Sequence, residues 1–373
     1  MIALLRARLS QTSWPLAYRL LLSAAFVVVL LYPLGRAPLG ISAYLFEPTG
    51  EWRTPAEIDR AFREHFPLRG RARRIMAMLP FGTLPGNVVR GKQDWLFYDA
   101  DASGDGQVME DLAGRVTPSP ADLDKWRDLL LRRRAEVAAG GGLYLAMVAP
   151  NKETIYADRL PLRYRTAKPQ LTRMDRVGEA LPKDLLLDLR PVLHQARRDA
   201  APHDVYFATD THWNPLGAMA AYRVVIDQLR ARFPAMTPLT DADVRVVAQD
   251  RVGDLTHMAG RTRTEATITL SPRASLPARW GETGLALLTP DGETRCLTMD
   301  AQVTSVQDRD DLPTAVVFHD SFMVFLAPYL AQNFRRVRYV WGRYDPELIA
   351  REKPDVVLHE TVERYLGTFF QAP

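Results

Sequence analysis

The sequence predicts an α/β fold: a mostly parallel sheet flanked by helices, with a β-rich insertion and one N-terminal transmembrane helix. Three observations point there. Short apolar runs of strand length alternate with helical stretches from about residue 119 onward. The stretch from about Gly260 to Leu312, with Thr, Pro and Gly throughout, reads as an irregular or β-rich insertion. An uncharged apolar stretch from Leu20 to Gly35 follows Arg6, Arg8 and Arg19, and no acidic residue precedes Glu47.

The elements follow in chain order. Adding Trp14 to Tyr18 brings the apolar stretch to about the 20 residues that span a bilayer, with Arg19 able to snorkel. The positive flank places the N-terminus in the cytoplasm and exports the rest. Residues 1–35 are therefore expected to be a cytoplasmic N-terminus and signal anchor. Residues 36–373 are expected to form one exported domain. A cleaved signal peptide is the alternative, with Ala37-Pro38-Leu39-Gly40 as the segment that leaves it open. Helices are expected from Thr54 towards Phe66 and from Leu68 to Leu79. A strand pair is expected between Asn87 and Tyr98, turning at Gly91-Lys92-Gln93-Asp94. An amphipathic helix from Pro120 to Ala139 ends at Gly140-Gly141-Gly142, and the strand Leu143 to Ala149 is closed by Pro150. Further strands are expected at Leu185 to Leu189, Ala315 to His319, Val337 to Trp341 and Asp355 to His359. Helices are expected from Pro215 to Phe233 and from Phe325 to Phe334.

Composition narrows the function classes. At 373 residues, 47% hydrophobic and 25% charged, the chain can bury a sizeable core and is not broadly disordered. The net charge of +4 is spread along the chain, with no dense Lys/Arg run interleaved with aromatics, so no nucleic-acid partner is indicated. Cys296 is the only cysteine, which excludes an intrachain disulfide and a Cys-based metal cage. There is no internal repeat, and no cofactor is implied.

The chemistry-bearing segments lie at the ends of predicted strands, where sites in open α/β sheets form. Tyr206-Phe207-Ala208-Thr209-Asp210-Thr211-His212-Trp213 puts a carboxylate two residues before a histidine. In an extended segment these side chains project the same way, and an imidazole held by a carboxylate is a general base. A nucleophile comes about a hundred residues later, where the apolar run Ala315 to Phe318 ends in His319-Asp320-Ser321-Phe322. Ser321 at a strand-to-helix turn presents its hydroxyl at the rim of the sheet, with its own N–H aimed to stabilise an oxyanion. The bland readings are an N-cap at Ser321 or Asp320 and a hydrogen-bonded turn at Asp210 and His212. A metal site of Asp210, His212 and either His257 or His319 has no supporting His spacing, so none is assigned. Asn151 is a candidate oxyanion donor. Lys152, Tyr156 and Arg364 are candidates for substrate contact, and Trp213, like Trp95, for stacking on a sugar ring; each also has a structural reading.

Several segments, in order, resemble the alginate O-acetyltransferase (AlgJ/AlgX) family of SGNH-hydrolase-like proteins. They are Phe66-Pro67-Leu68-Arg69, Val89 to Tyr98, Ala149-Pro150-Asn151-Lys152-Glu153-Thr154-Ile155-Tyr156, Asp210-Thr211-His212-Trp213, Gly253-Asp254-Leu255, His319-Asp320-Ser321-Phe322, and Pro354 to Val357 leading to Glu363-Arg364. The resemblance implies an SGNH-like fold in which Asp and His precede Ser. It implies Ser321 as nucleophile, His212 as base and Asp210 as its partner. It also implies that the anchor sits in the inner membrane, with acetyl transfer onto an exopolysaccharide in the periplasm and a multispanning membrane acyltransferase as donor partner. One departure stands out: the usual Gly-Asp-Ser-Phe is here His319-Asp320-Ser321-Phe322, which brings a second imidazole near the acyl group. The chain also ends soon after Arg364, so glycan is expected to be held by the catalytic domain or by partners. The expected function is O-acetylation of a polysaccharide; the rivals are an acetyl esterase with the same triad and a non-catalytic anchored scaffold.

Overall fold

The computed structural model describes residues 83–100, 106–164, 170–281, 283–288 and 302–370. The chain divides into two compact units, Met1–Arg74 and Ile75–Pro373, and the described residues all belong to the second. The predicted membrane segment, the helices predicted at 54–66 and 68–79, and Cys296 lie outside the described residues. Among the described residues no helix is long and apolar enough to cross a membrane.

A small antiparallel sheet comes first: β1 (Thr83–Leu84), β2 (Val88–Arg90) and β3 (Leu96–Tyr98). Its β2–β3 turn falls where the sequence puts it, and Gln93 and Asp94 take left-handed φ of 51° and 63° to close it. After α1 (Val108–Leu112) comes α2 (Pro120–Ala139), started by a Ser119–Asp122 capping box with Pro120 in the first turn. Gly141, at φ 84°, lets the chain reverse into β4 (Leu143–Ala149). Then follow α3 (Lys152–Ile155), α4 (Arg173–Ala180), β5 (Leu186–Asp188), α5 (Arg190–Asp199) and α6 (Pro215–Arg230). The side chain of Asn214 accepts from the Leu216 and Gly217 N–H groups to start α6.

The insertion begins earlier than the sequence reading placed it. A hairpin of β6 (Val244–Val252) and β7 (Thr264–Pro272) carries α7 (Asp254–Met258) in its connection. β6 escapes the hydrophobic pattern because only Val244 in it is fully buried and charged residues break the alternation. β8 (Arg279–Trp280) and β9 (Val303–Val306) join the main sheet, followed by β10 (Thr314–His319), α8 (Met323–Leu330), β11 (Arg336–Trp341), α9 (Pro346–Glu352), β12 (Val356–Val362) and α10 (Leu366–Phe369).

Among the described residues the main sheet has seven strands in the order β5-β4-β12-β10-β11-β9-β8. The first five run parallel, β9 runs against them beside β11, and β8 pairs antiparallel with β9. Alternation along β10 sends Val317 into one core layer and Val316 and Phe318 into the other. The first layer includes the buried faces of α6 and α8, the second those of α2 and α4. All the parallel strands end at one edge, the edge where sites in open α/β sheets form.

A buried ion pair ties α1 to α4. Asp111 accepts from the Arg173 backbone N–H at 2.6 Å and from its Nε at 2.9 Å, with side-chain exposures of 4% and 9%. Removing one partner strands a charge in the interior. Asp111→Ala is expected to lower stability by about 3–5 kcal/mol in urea unfolding. Asp184→Ala, which breaks the exposed pair with Arg134, should cost no more than about 1 kcal/mol.

Candidate active site

Asp210 and His212 do not sit at the end of a regular strand, as the sequence suggested. They lie in a loop closed by a lone antiparallel bridge between Tyr206 and Trp213. Strand alternation is therefore not what unites them. The Asp210 carboxylate does it directly, with Oδ1 accepting from the His212 backbone N–H at 3.1 Å and lying 2.7 Å from its Nδ1. Burial pushes the Asp210 carboxyl up, but the His212 hydrogen bond and the nearby Arg251 guanidinium outweigh it and hold it well below the ordinary carboxylate range. Asp210 is thus ionised, and Nδ1 is the donor. His212 Nε2 is buried and has no hydrogen-bond partner among the described residues.

The loop is held from four sides. Lys152 Nζ donates to the carbonyls of Ala208 at 3.0 Å and Asp210 at 2.8 Å. Glu265 on β7 accepts from the Ala208 and Thr209 N–H groups and from Thr209 Oγ1. Asp254 accepts from the Thr211 N–H at 2.8 Å and Oγ1 at 2.6 Å. Arg251 reaches Asp210 Oδ2 at 3.1 Å, its guanidinium lying over the rings of Phe207 and Phe325. The hairpin insertion thus supplies Arg251, Asp254 and Glu265. A side chain at Gly253 would meet the Thr209 carbonyl at 2.1 Å, which is why glycine stands where the hairpin touches the loop.

Ser321 follows the carboxyl end of β10 and is partly exposed. Asp320 shapes its turn: Oδ1 accepts from the Phe322 N–H at 2.9 Å and Oδ2 from the Val362 N–H at 2.7 Å. The Ser321 N–H has no partner among the described residues. Trp213 joins the two halves of the site, donating from Nε1 to the Phe322 carbonyl at 3.0 Å. The Phe322 ring lies 4.9 Å from the His212 ring, so the residue after Ser321 packs on the imidazole.

The other sequence candidates divide. Lys152, Tyr156 and Trp213 are 1%, 0% and 0% exposed, so they act on their neighbours rather than on an open surface. Tyr156 accepts from the Val205 N–H and stacks on Trp95, itself buried, at 4.2 Å. Asn151 stands at the N-cap position of α3, but its Oδ1 accepts from the Arg364 N–H at 3.3 Å rather than from the helix. Arg364 lies over the Phe322 and Tyr365 rings, with Nε buried and unpartnered. His319 sits beside Asp320 but belongs to the far wall of the Ser321 turn, against Tyr339 and Trp341.

Sequence reasoning missed Arg251, Glu265 and Glu360, and left Asp254 as part of a motif without a role. The third group near the dyad is Asp254, with Oδ2 3.6 Å from His212 Nδ1, rather than His257 or His319. These three side chains have the spacing to hold a metal ion, but the Arg251 cation bonded to Asp210 opposes a second positive charge there. Burial and the Asp210 charge push the Asp254 carboxyl up. Glu360 had one legible signal, a carboxyl near the carboxyl end of a strand otherwise built to be buried.

An open, largely parallel sheet, with Ser321 after the carboxyl end of β10 and the loop of Asp210 and His212 packed beside it, is the fold of an SGNH-hydrolase-like α/β protein. The family model described as SGNH hydrolase-like domain, acetyltransferase AlgX, matches residues 88–280, and the chain belongs to that family, the AlgJ/AlgX-like proteins. It is 29% identical over 209 residues to a protein named probable alginate O-acetylase AlgJ, from Pseudomonas syringae pv. tomato. That match covers 54% of this chain and 47% of the relative, so the chain spans about half the length of the relative it matches. The structure of Bacillus cereus PatB1 aligns with a TM-score of 0.54 at 15% identity, over 76% of this chain and 98% of that one. PatB1 with a sulfonyl adduct aligns with a TM-score of 0.50 at 16% identity, over 68% and 94%. At such identities the likeness concerns the fold alone.

Glu363, after β12, carries a pH signature. Its Oε2 accepts from the Asn151 N–H at 2.9 Å and Thr154 Oγ1 at 2.6 Å, and burial pushes its carboxyl from 4.5 up to about 7 against the pull of Arg190. A raised carboxyl binds its proton more tightly in the folded state, so its ionisation costs stability progressively between about pH 4.5 and 7 and by a constant amount above. The cost is on the order of 3 kcal/mol. Glu363→Gln, whose Oε1 can accept both bonds, should gain stability relative to the parent across that window in urea titrations. A difference that does not change with pH would contradict the assignment.

Proposed function

We propose that this protein is an O-acetyltransferase that moves acetyl groups onto hydroxyls of an exported polysaccharide through an acetyl-Ser321 intermediate. The observation that carries the reading is His212: one ring nitrogen is held by an ionised Asp210, the other is buried and unpartnered, and the ring packs on the residue after Ser321. Catalytic hydrogen bonds often tighten only when substrate is bound, so the unengaged Nε2 suits a base waiting for its nucleophile.

In the first half-reaction Ser321 Oγ attacks the acetyl carbonyl of the donor as its proton passes to His212 Nε2. The imidazolium is stabilised by Asp210 and returns the proton to the leaving group. In the second, a sugar hydroxyl gives its proton to His212 and attacks the acetyl carbon. The bond to Ser321 Oγ then breaks, and Oγ recovers the proton. The free Ser321 N–H and the side-chain amide of Asn151 are the donors for the oxyanion. Arg251 and Asp254 are positioning residues that fix Asp210 and the loop behind it. A polysaccharide is the acceptor, a multispanning membrane acyltransferase supplies acetyl, and residues 1–35 anchor the chain in the inner membrane with the domain in the periplasm. Transfer requires that the acceptor outcompete water at the ester.

Purified full-length protein given an acetyl-ester donor and an oligosaccharide should acetylate the oligosaccharide, and Ser321→Ala should lower the rate by at least about 10³-fold. Release of acetate alone, with abundant oligosaccharide present, would replace this reading with an esterase. Undiminished glycan acetylation in cells carrying Ser321→Ala would leave a scaffold.

A further inference from the structure

β12 lies between β4 and β10 in the main sheet, so it leaves the sheet between the segment that carries Asn151 and the turn that carries Ser321. Its last residue, Val362, donates its N–H to Asp320 Oδ2 at 2.7 Å and so holds the Ser321 turn. The next two residues hold Asn151, Glu363 through its carboxyl and Arg364 through its backbone N–H. Three consecutive residues therefore tie the nucleophile's turn to the oxyanion donor on the other flank of the strand.

These bonds decide what the Asn151 side chain can do. An asparagine at an N-cap ordinarily turns its oxygen back onto the N–H groups of the first turn. Here Oδ1 accepts from the Arg364 N–H at 3.3 Å, and no side-chain cap is made. A backbone N–H only donates, so the amide atom it meets is the oxygen and the other end is the NH₂ donor. That Nδ2 has no hydrogen-bond partner among the described residues, and it is not one of the unpartnered atoms closed off in the interior. Asn151 is otherwise buried, at 3% exposed.

Glu363 steadies the helix start that the asparagine leaves uncapped. Its Oε2 accepts from the Asn151 N–H at 2.9 Å and from Oγ1 of Thr154, on the first turn of α3, at 2.6 Å. Asn151 is thus fixed at its backbone by Glu363 and at Oδ1 by Arg364, two points on one strand end. The direction of Nδ2 follows from both. Placement of this kind matters to rate, since a displacement of about 1 Å can cost on the order of 10²-fold.

We propose that Glu363 is a positioning residue for acyl transfer: by holding the Asn151 backbone against the end of β12, it keeps the Asn151 amide aimed at the oxyanion that forms when Ser321 attacks. The proposal rests on the acyl-transfer reading. Glu363 touches neither donor nor acceptor and takes no proton; it acts through Asn151.

The test is a double-mutant cycle in the full-length protein, with 4-nitrophenyl acetate as the acetyl donor and kcat referred to the folded fraction measured by circular dichroism. Asn151→Ala is expected to lower kcat about 100-fold, the loss of one oxyanion donor. Glu363→Ala is expected to lower it about tenfold with KM changed by less than about twofold, because the contact it supports is made in the transition state. In the Asn151→Ala background the same change should cost less than about twofold. Glu363→Gln, whose Oε1 can accept both bonds, should bring kcat back to within about threefold of the parent. Should Glu363→Ala fail to fold, Glu363→Asp, which keeps the carboxyl and withdraws it by one methylene, takes its place in the cycle. An unchanged kcat, an equal loss with Asn151 already removed, or no recovery with glutamine would overturn the proposal. Such a result with acetyl found on Ser321 overturns the proposal alone; turnover by the parent with no acetyl on Ser321 overturns the acyl-transfer reading and the proposal with it.

Discussion

Lys152 Nζ donates to the backbone carbonyls of Ala208 and Asp210, and this buried ammonium ties the loop that carries Asp210 and His212 to the main sheet. The loop from Tyr206 to Trp213 has no helix and only one bridge to hold its shape. Its carbonyls need donors from outside the loop, and the Leu96 N–H of β3 supplies one to Ala208 at 2.8 Å. Lys152 supplies others from the carboxyl end of β4, so the loop is referenced to the main sheet. Burial pulls its ammonium down to about 8, and the charges of Glu153, Glu265, Asp210 and Asp254 are what keep it protonated near neutral pH. The rings of Trp95 and Phe97, 4.9 and 5.2 Å away, add cation–π attraction from the small N-terminal sheet. A residue that reads as a substrate contact in the sequence is instead a buried anchor of the loop that carries Asp210 and His212.

The site is also an arrangement of carboxyls kept in different protonation states by different surroundings. Asp210 has a histidine and an arginine, and stays ionised. Asp254, beside Asp210 with only Thr211 as close donor, is pushed the other way. Asp320 is satisfied by two backbone N–H groups, while its neighbour Glu360 lies deeper and is driven towards the neutral acid. Pairs whose environments separate their proton affinities are how one sheet edge hosts a fixed negative charge and a hydrogen-bond donor within a few residues.

Much of this was legible in the sequence. The parallel strands carry short apolar runs and α2 and α6 carry caps with Pro in the first turn, so their starts are found to within a residue, while β12 runs on past the expected His359 to Val362. Asp210, His212 and Ser321 were legible because each stands in a short motif beside a strand end or a helix start. What was not legible is tertiary. The β6–β7 hairpin is largely solvated on one side, so its sequence lacks a clean two-residue period, yet it delivers Arg251 and Glu265 onto the loop. Nor does sequence say that Lys152 and Tyr156 point inward, since a lysine and a tyrosine after Pro150-Asn151 look the same whether they meet solvent or carbonyls. Glu360 is different: a carboxyl inside a strand built to be buried is itself a signal, though one that does not say what it faces.

The central claim is that Ser321 becomes acetylated with His212 as its base. The most direct measurement is rapid-quench peptide mass spectrometry of the full-length protein after mixing with a small activated acetyl ester. The account predicts a burst approaching one acetyl group per chain, found on the peptide that carries Ser321. A turnover that proceeds with no acetyl on Ser321, or with acetyl only on other residues, would contradict it.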